Sequence, residues 1–383
     1  WDLLRSLAVS QSDGAIYGIG YSASLSFSLL PSRPSLEVPP DAFVIKADAN
    51  KNIIWATRIG SGTQDYGMNL AVGNDGFIYV TGFSGDSNAT SPARGFLSKL
   101  KASDGTVVYT RIIGDTIGGH SYGEDLSIGI DGSIYVAIST DGNLGGNINQ
   151  GNRDVAVQKY DLNGNLIWTV LQGTPAKEEA RTITTGPDGS VYLTGHTSGN
   201  LGGEINNGGE DAFITKISES GIIQWTKLLG TAGNDVGWAV TTVGSNSLIV
   251  SGLTNGNLEG RTSNGGQDIF IASLDISEPA AATSVSVNLN RTSVREQGQE
   301  RLLFSFSRTG SLLEPLSISY SLSGSASQAD YTGAVPGAVQ SFLLPAGVRS
   351  ADLTLSPVVD GLVEGDESIL LSLNPDPAYS IAT

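Results

Sequence analysis

The sequence predicts an all-β protein built of repeated antiparallel blades and followed by a second, sandwich-like β module. Three observations predict it. A turn-plus-strand signature recurs at a spacing near 57 residues, and a second signature follows each copy. Glycine is abundant, at 50 of 383 residues, without the triplet period of collagen. The chain length itself suggests more than one domain.

The first signature reads Asp13-Gly14-Ala15-Ile16-Tyr17, Asp75-Gly76-Phe77-Ile78-Tyr79, Asp131-Gly132-Ser133-Ile134-Tyr135 and Asp188-Gly189-Ser190-Val191-Tyr192, with a degenerate copy at Ser245-Asn246-Ser247-Leu248-Ile249. The second reads Asp41-Ala42-Phe43-Val44-Ile45-Lys46, Asp154-Val155-Ala156-Val157-Gln158-Lys159, Asp211-Ala212-Phe213-Ile214-Thr215-Lys216 and Asp268-Ile269-Phe270-Ile271-Ala272-Ser273. Gly95-Phe96-Leu97-Ser98-Lys99 holds that place in the second copy without the aspartate. A third signature is an aromatic strand carrying Trp55, Tyr109, Trp168 or Trp225.

Each copy reads as four short strands between Gly, Asn and Asp turns. In the fourth copy these are expected near Arg181–Thr185, Ser190–Gly195, Ala212–Ile217 and Ile222–Leu229. Such strands cannot bury both faces alone, so the copies must stack. Four antiparallel strands per repeat favour propeller blades over a β-solenoid, whose coils are usually shorter. The pattern D-G-x-[IV]-Y, a Gly/Asn loop, D-A-F-[IV]-x-K and an aromatic strand resembles the bacterial seven-bladed β-propeller (SBBP) repeat over residues 1–275. Five copies are visible, and the fifth stops at Leu274-Asp275 without its aromatic strand. Two readings stand open. Trp1-Asp2-Leu3-Leu4 echoes Trp225-Thr226-Lys227-Leu228-Leu229 and could supply that strand, closing a five-bladed ring; alternatively, upstream blades have been cut away. The opening on Trp1, without Met or signal peptide, is expected of a processed form or a fragment.

Residues 276–283 form a linker, and the pattern changes after it. Alternating apolar runs at Val285–Leu289, Leu302–Phe306, Leu316–Tyr320, Val339–Leu344, Ala351–Leu355 and Ile369–Leu373 predict an antiparallel sandwich of immunoglobulin-like type over residues 284–383. Glu296 after Arg295, Ala329-Asp330-Tyr331, the Pro345-Ala346-Gly347 turn and the acidic run from Asp360 to Glu367 resemble the Calx-β module. That resemblance implies a calcium site at Glu296, Asp330, Asp360 and Glu364, with Asp366 and Glu367 as further donors. Calcium takes six to eight oxygens, and clustered carboxylates supply them. Weak affinity is expected, because Gly361 stands where a second Asp is common and the sequence to Thr383 does not include the family's last strand with its terminal acidic cluster.

Other motifs read as structure. Asp161-Leu162-Asn163-Gly164-Asn165 opens like an EF-hand, but Leu166 and Gln172 stand where that loop needs Gly and Glu, so it reads as a hairpin turn. The loops Gly142-Asn143-Leu144-Gly145-Gly146, Gly199-Asn200-Leu201-Gly202-Gly203 and Gly256-Asn257-Leu258-Glu259-Gly260 read as blade loops that need positive φ, and grouped on one face they could hold a glycan or a partner. His196 occupies a place that is apolar in the sister copies (Tyr21, Phe83, Leu253) and reads as packing, whereas His120 has no partner legible in the sequence. Asp41, Asp154, Asp211 and Asp268 recur and read as caps of a strand turn.

Composition narrows the function. A formal net charge of -17 argues against phosphate backbones and anionic lipid surfaces as partners. The chain has no cysteine and only two histidines, which leaves no thiolate chemistry and little for a histidine metal site. No apolar run is long enough to span a bilayer. No one-off set of acids, bases or cofactor ligands is legible. Together with the resemblances, this points to a non-enzymatic secreted or cell-surface bacterial protein for adhesion or matrix attachment. Its propeller would display a surface to a protein or glycan, and its sandwich would hold Ca2+. The competing class is a propeller enzyme, either a hydrolase or a quinoprotein-like dehydrogenase.

Overall fold

A computed structural model describes residues 2–11, 13–22, 40–60, 64–85, 92–114, 119–263, 265–276, 283–297, 300–310, 315–359, 361, 365–376 and 378–382. The chain divides into two compact units, Trp1–Ile276 and Ser277–Thr383. Most of the expected linker lies outside the described residues.

The first unit is a succession of antiparallel blades, each a meander ordered from an inner to an outer strand. Blade 1 comprises Asp2–Val9, Ile16–Ser22, Asp41–Ala47 and Ile53–Ile59. Blade 2 comprises Asp65–Val72, Phe77–Ser84, Arg94–Lys101 and Val107–Ile113. Ser121–Ile128, Ile134–Thr140, Asp154–Tyr160 and Leu166–Gln172 make blade 3. Glu178–Thr185, Val191–Thr197, Asp211–Ile217 and Ile223–Leu229 make blade 4. Blade 5 has three strands, Asp235–Val243, Ser247–Thr254 and Asp268–Asp275. This is β-propeller architecture, not a parallel solenoid.

The Asp-Gly signature builds the first turn of each complete blade. Asp13, Asp75, Asp131 and Asp188 each accept the N–H two residues on, at 3.1, 3.3, 2.9 and 3.0 Å. The following glycine takes φ of +67°, +80°, +82° and +79°, a region that only glycine enters without cost.

Alternation along the middle strands sends side chains into the two neighbouring seams. Each of the four apolar clusters fills one seam between consecutive blades. At seam 4|5, for example, Tyr192, Ala212 and Ile214 meet Val240, Leu248, Val250 and Phe270. The inner strand of the next blade approaches so closely that it carries Gly67, Gly123, Ala180 or Gly237 at the contact, all buried. A Cβ on Gly67 would lie 2.5 Å from Ile19 Cγ1 and 2.8 Å from the Gly20 carbonyl.

Asp2–Val9 pairs with Ile16–Ser22 through a bulge of the same kind as in the other blades. The reading of this segment as the outer strand of the last blade is thereby corrected: it is the inner strand of blade 1. Among the described residues, no apolar cluster joins blade 5 to blade 1. Both end faces are exposed. Ile269 and Ile271 are 78% and 75% exposed, whereas their counterparts Ala212 and Ile214 are 0% and 1%. Leu4, at the place of Gly67, is 43% exposed.

The second unit packs a five-stranded sheet on a three-stranded one. Its core joins Val285, Phe304, Phe306 and Leu355 of the first to Leu316, Ile318, Tyr320 and Leu344 of the second. Phe306 stacks on Phe342, with ring centroids 4.4 Å apart. Ser380–Ile381 adds to the five-stranded sheet by pairing in parallel with Ser284–Leu289.

Candidate functional site

Two kinds of polar arrangement occupy the propeller, one repeated and one built once. In the repeated set, the lysine of the second signature reaches the aspartate of the first: Lys46–Asp13 at 3.5 Å, Lys99–Asp75 at 3.0 Å, Lys159–Asp131 at 3.1 Å and Lys216–Asp188 at 3.5 Å. Each ammonium lies 5.1–5.8 Å from the signature tyrosine's ring centre. Trp55, Tyr109, Trp168 and Trp225 all pair directly opposite these lysines on the outer strands, and all are half-buried. Lys46 Nζ and Trp55 Nε1 both donate to the Ala102 carbonyl of the next blade, and Lys159 Nζ and Trp168 Nε1 both donate to that of Glu219. The set is therefore a staple between blades.

The unique arrangement starts from a bulge. Every inner strand skips one residue in its pairing: Arg5, Met68, Glu124, Arg181 and Trp238. The bulged residue is arginine in blades 1 and 4 and methionine, glutamate and tryptophan in the other three. A bulge re-aims its side chain and commonly marks functional edges. The Arg181 guanidinium lies 4.6 Å from the ring centre of Trp238, which is 47% exposed. Glu179 gathers Arg153 at 2.6 Å, Lys177 at 2.9 Å and Arg181 at 2.9 Å. His196 Nε2 stands 3.4 Å from Glu179 and 3.6 Å from Glu210, and the ring is 2% exposed. His196 is thus buried, as its apolar sister positions imply, but between two carboxylates.

The electrostatics separate the two acids. Burial pushes the Glu124 carboxyl up to about 7, against the opposing charge of Arg181. Burial also works against ionising Glu179, but the hydrogen bond and charge of Lys177, with Arg181 and His196, hold it below the usual range. Burial lowers His196, and the charges of Glu210 and Glu179 only partly offset this.

An aromatic ladder continues from this cluster across blades 3 to 1. Arg153 lies over Tyr122, 5.1 Å from its ring centre. Tyr122 meets Phe83 at 5.0 Å, Phe83 stacks on Tyr66 at 4.8 Å, and Tyr66 meets Tyr21 at 4.8 Å. His120 stacks on Tyr122, and its Nδ1 accepts the Ala93 N–H at 2.9 Å, a partner from the neighbouring blade. All four ladder rings are half-buried.

The Gly-Asn loops rise at this same end of the blades. Gly145, Gly146, Gly202, Gly203 and Gly260 have positive φ. Asn143, Asn200 and Asn257 each fix their loop by accepting a backbone N–H six residues on. Asn143, Leu144, Gly145 and Gly146 line an open groove of about 660 Å³ against Arg111 and Leu166.

In the second unit, Asp360 and Glu364 lie outside the described residues. Glu296 sits half-buried in a turn, and Asp366 and Glu367 are exposed. Asp330 and Glu367 come into side-chain contact. The Ser327 hydroxyl and N–H, with that contact, hold the Asp330 carboxyl below its usual range. Among the described residues, no group of three or more acids or histidines gathers as a metal site.

No family model matches the chain. Over 169 residues it is 29% identical to the regulatory protein FlaEY of Caulobacter vibrioides, covering 40% of this chain and 17% of that protein. Over 235 residues it is 22% identical to an uncharacterized WD repeat-containing protein, L264, of Acanthamoeba polyphaga mimivirus, covering 57% of this chain and 14% of that one. The chain thus spans less than a fifth of the length of these curated relatives. Among solved structures, the Dos1 propeller aligns with a TM-score of 0.39 at 11% identity, over 82% of this chain and 65% of that one. The microbial sialidase Hz136 aligns at 0.38 and 12% identity, over 73% and 65%.

Proposed function

We propose that this chain is a non-enzymatic recognition protein of the bacterial surface or exterior, whose propeller binds a glycan or a glycan-bearing protein. The observation that carries this reading is the bulge-built cluster of Glu124, Arg181 and Trp238, continued by the ladder Tyr122–Phe83–Tyr66–Tyr21. Aromatic faces offer apolar surface to sugar C–H groups, while the ionic groups beside them bond hydroxyls. The net charge of -17 supports a neutral ligand over a polyanion. The second unit fits the role of a Calx-β-like calcium module, supported by the Asp330–Glu367 contact. A glycan panel with the full chain tests this reading. Trp238→Ala and Tyr66→Ala are expected to weaken binding at least tenfold without altering the melting temperature. Absence of any glycan ligand, or binding indifferent to both changes, overturns it.

One observation favours a second reading, a hydrolase. Burial raises the Glu124 carboxyl to about 7 while Glu179, against its own burial, is lowered by its cationic neighbours, and such a split is how acid and base roles are assigned. A screen with chromogenic glycosides decides. Turnover that disappears in Glu124→Gln supports the enzyme, and none in the wild type removes it.

A further inference from the structure

At every seam, the residue that opens an inner strand donates its N–H to the carbonyl just before the third strand of the preceding blade. Asp65 bonds Pro40, Ser121 bonds Ala93, Glu178 bonds Arg153 and Asp235 bonds Glu210, at 2.7, 2.9, 2.8 and 2.5 Å. The side chains that open these two strands are therefore neighbours across each seam: Asp41 with Asp65, Arg94 with Ser121, Asp154 with Glu178, and Asp211 with Asp235. Three of the four seams thus bury a pair of acids.

The seams differ in how that charge is met. At seam 1|2, Arg58 pairs with Asp41 at 2.8 Å. Seam 2|3 has no acid pair; Arg94 replaces one acid and donates to the Gly114 carbonyl at 3.2 Å. Gly114 stands where Gly173 and Gly230 lie against the carboxylates of Asp154 and Asp211, so that guanidinium occupies the equivalent place. At seam 3|4, Glu178 accepts the Thr174 N–H and the hydroxyls of Thr174 and Thr197, so only Asp154 keeps a buried Oδ1 without a hydrogen-bond partner. Seam 4|5 has neither remedy in full. Asp211 and Asp235 are both 0% exposed. Asp211 Oδ2 accepts from Asn207 N–H, and Asp235 Oδ2 from Thr231 N–H and Oγ1. Both Oδ1 atoms are buried without a hydrogen-bond partner, and among the described residues no lysine or arginine pairs with either acid.

We infer that seam 4|5 is a cation site: Asp211 Oδ1 and Asp235 Oδ1 bind one calcium ion where seams 1|2 and 2|3 place a guanidinium. Two buried like charges without compensation are costly, and a divalent ion balances both. The donors are all oxygen, which selects a hard cation, with backbone carbonyls and water completing a shell of six or more. The Asp211 carboxyl is raised chiefly by burial and further by the charge of Asp235, so the two groups sense one another.

The test uses the full chain, stripped with EDTA, in a D330N/E367Q background that removes the two sandwich acids in contact, any remaining sandwich binding being common to parent and variants. Calorimetric titration with calcium is expected to show one equivalent fewer in D211N/D235N than in the parent. Calcium 100-fold above its dissociation constant should raise the parent's melting temperature by about 5 °C. D211R/D235S, which copies Arg94 and Ser121, should match the calcium-loaded parent in EDTA and ignore added calcium. An identical calcium response in parent and both variants overturns the inference. So does a parent whose melting follows pH between about 4 and 7 but not calcium, since the two acids then share a proton.

Discussion

Lys159 Nζ lies 3.1 Å from Asp131 Oδ2, with the lysine side chain 7% exposed, and so joins the two sequence signatures of blade 3. The pair is 28 residues apart in sequence, and its equivalents recur in blades 1, 2 and 4. What reads as two motifs in the chain is one ion pair in the fold, its lysine buried and its aspartate half-exposed. The lysine also bonds the Glu219 carbonyl, so the same group ties blade 3 to blade 4.

Removing one partner of this pair strands the other. Lys159→Met is expected to destabilise the propeller by about 3 kcal/mol. Lys159→Met with Asp131→Asn should cost less than the sum of the singles by about 1–2 kcal/mol. Denaturant unfolding of the four proteins checks the coupling, and additive losses would show that the pair does not act as a unit.

Register predicts opposite outcomes for two identical substitutions. Ile214→Ala opens a cavity in seam 4|5 and should cost about 2–4 kcal/mol. Ile271→Ala, at the same place in blade 5, should cost no more than about 0.5 kcal/mol, because that side chain is 75% exposed. Comparable losses at both sites would mean that the end face of blade 5 is covered in solution.

Gly67→Ala places a methyl group 2.5 Å from Ile19 Cγ1. The blades must part to admit it, and a loss of about 1–3 kcal/mol is expected. Gly76→Ala serves as the contrast: its Cβ meets nothing within 4 Å, so its cost comes from the positive φ alone. Thermal unfolding of both variants separates seam crowding from backbone strain.

Burial pushes the Asp125 carboxyl up to about 7, although the N–H groups of Ile183 and Leu126 bond it. A raised folded value means that the native state binds the extra proton. The stability contributed is complete below the ordinary aspartate range and is lost as pH climbs through about 7. Asp131 has the opposite sign: burial is outweighed by the Ser133 and Lys159 bonds, its value is lowered, and its contribution disappears on acidification below about 4. Asp125→Asn should therefore flatten the pH 4–7 limb of stability by up to about 1.4 kcal/mol per pH unit, and Asp131→Asn should spare that limb.

The repeat was legible in the sequence because its signatures are local. Asp-Gly turns, period-2 strands and the opposed lysine and tryptophan each follow from neighbours within one blade. The fourth blade's strands begin within a few residues of where the pattern places them, and the aromatic strands are equivalent, as their spacing implies. One signal for the bulge cluster was present but weak: Glu124, Arg181 and Trp238 are the positions where otherwise similar inner strands disagree. The partners of His120 and His196 were not legible, since Ala93 and Glu210 approach them only through folding.

By itself, then, the sequence determined the unit: a four-stranded blade, its turns, its register and the stacking that its apolar faces require. Tertiary structure alone decided what lies between units. It made Asp2–Val9 an inner strand, left Leu4 and Ile269 exposed at the two ends, set Asp211 against Asp235, and brought Glu124, Glu179 and Arg181 together. The physical reason is separation along the chain. A turn or an alternating strand is settled by contacts a few residues apart, whereas a seam is settled by residues from different copies. Their encounter depends on blade twist and spacing, and no local pattern records it.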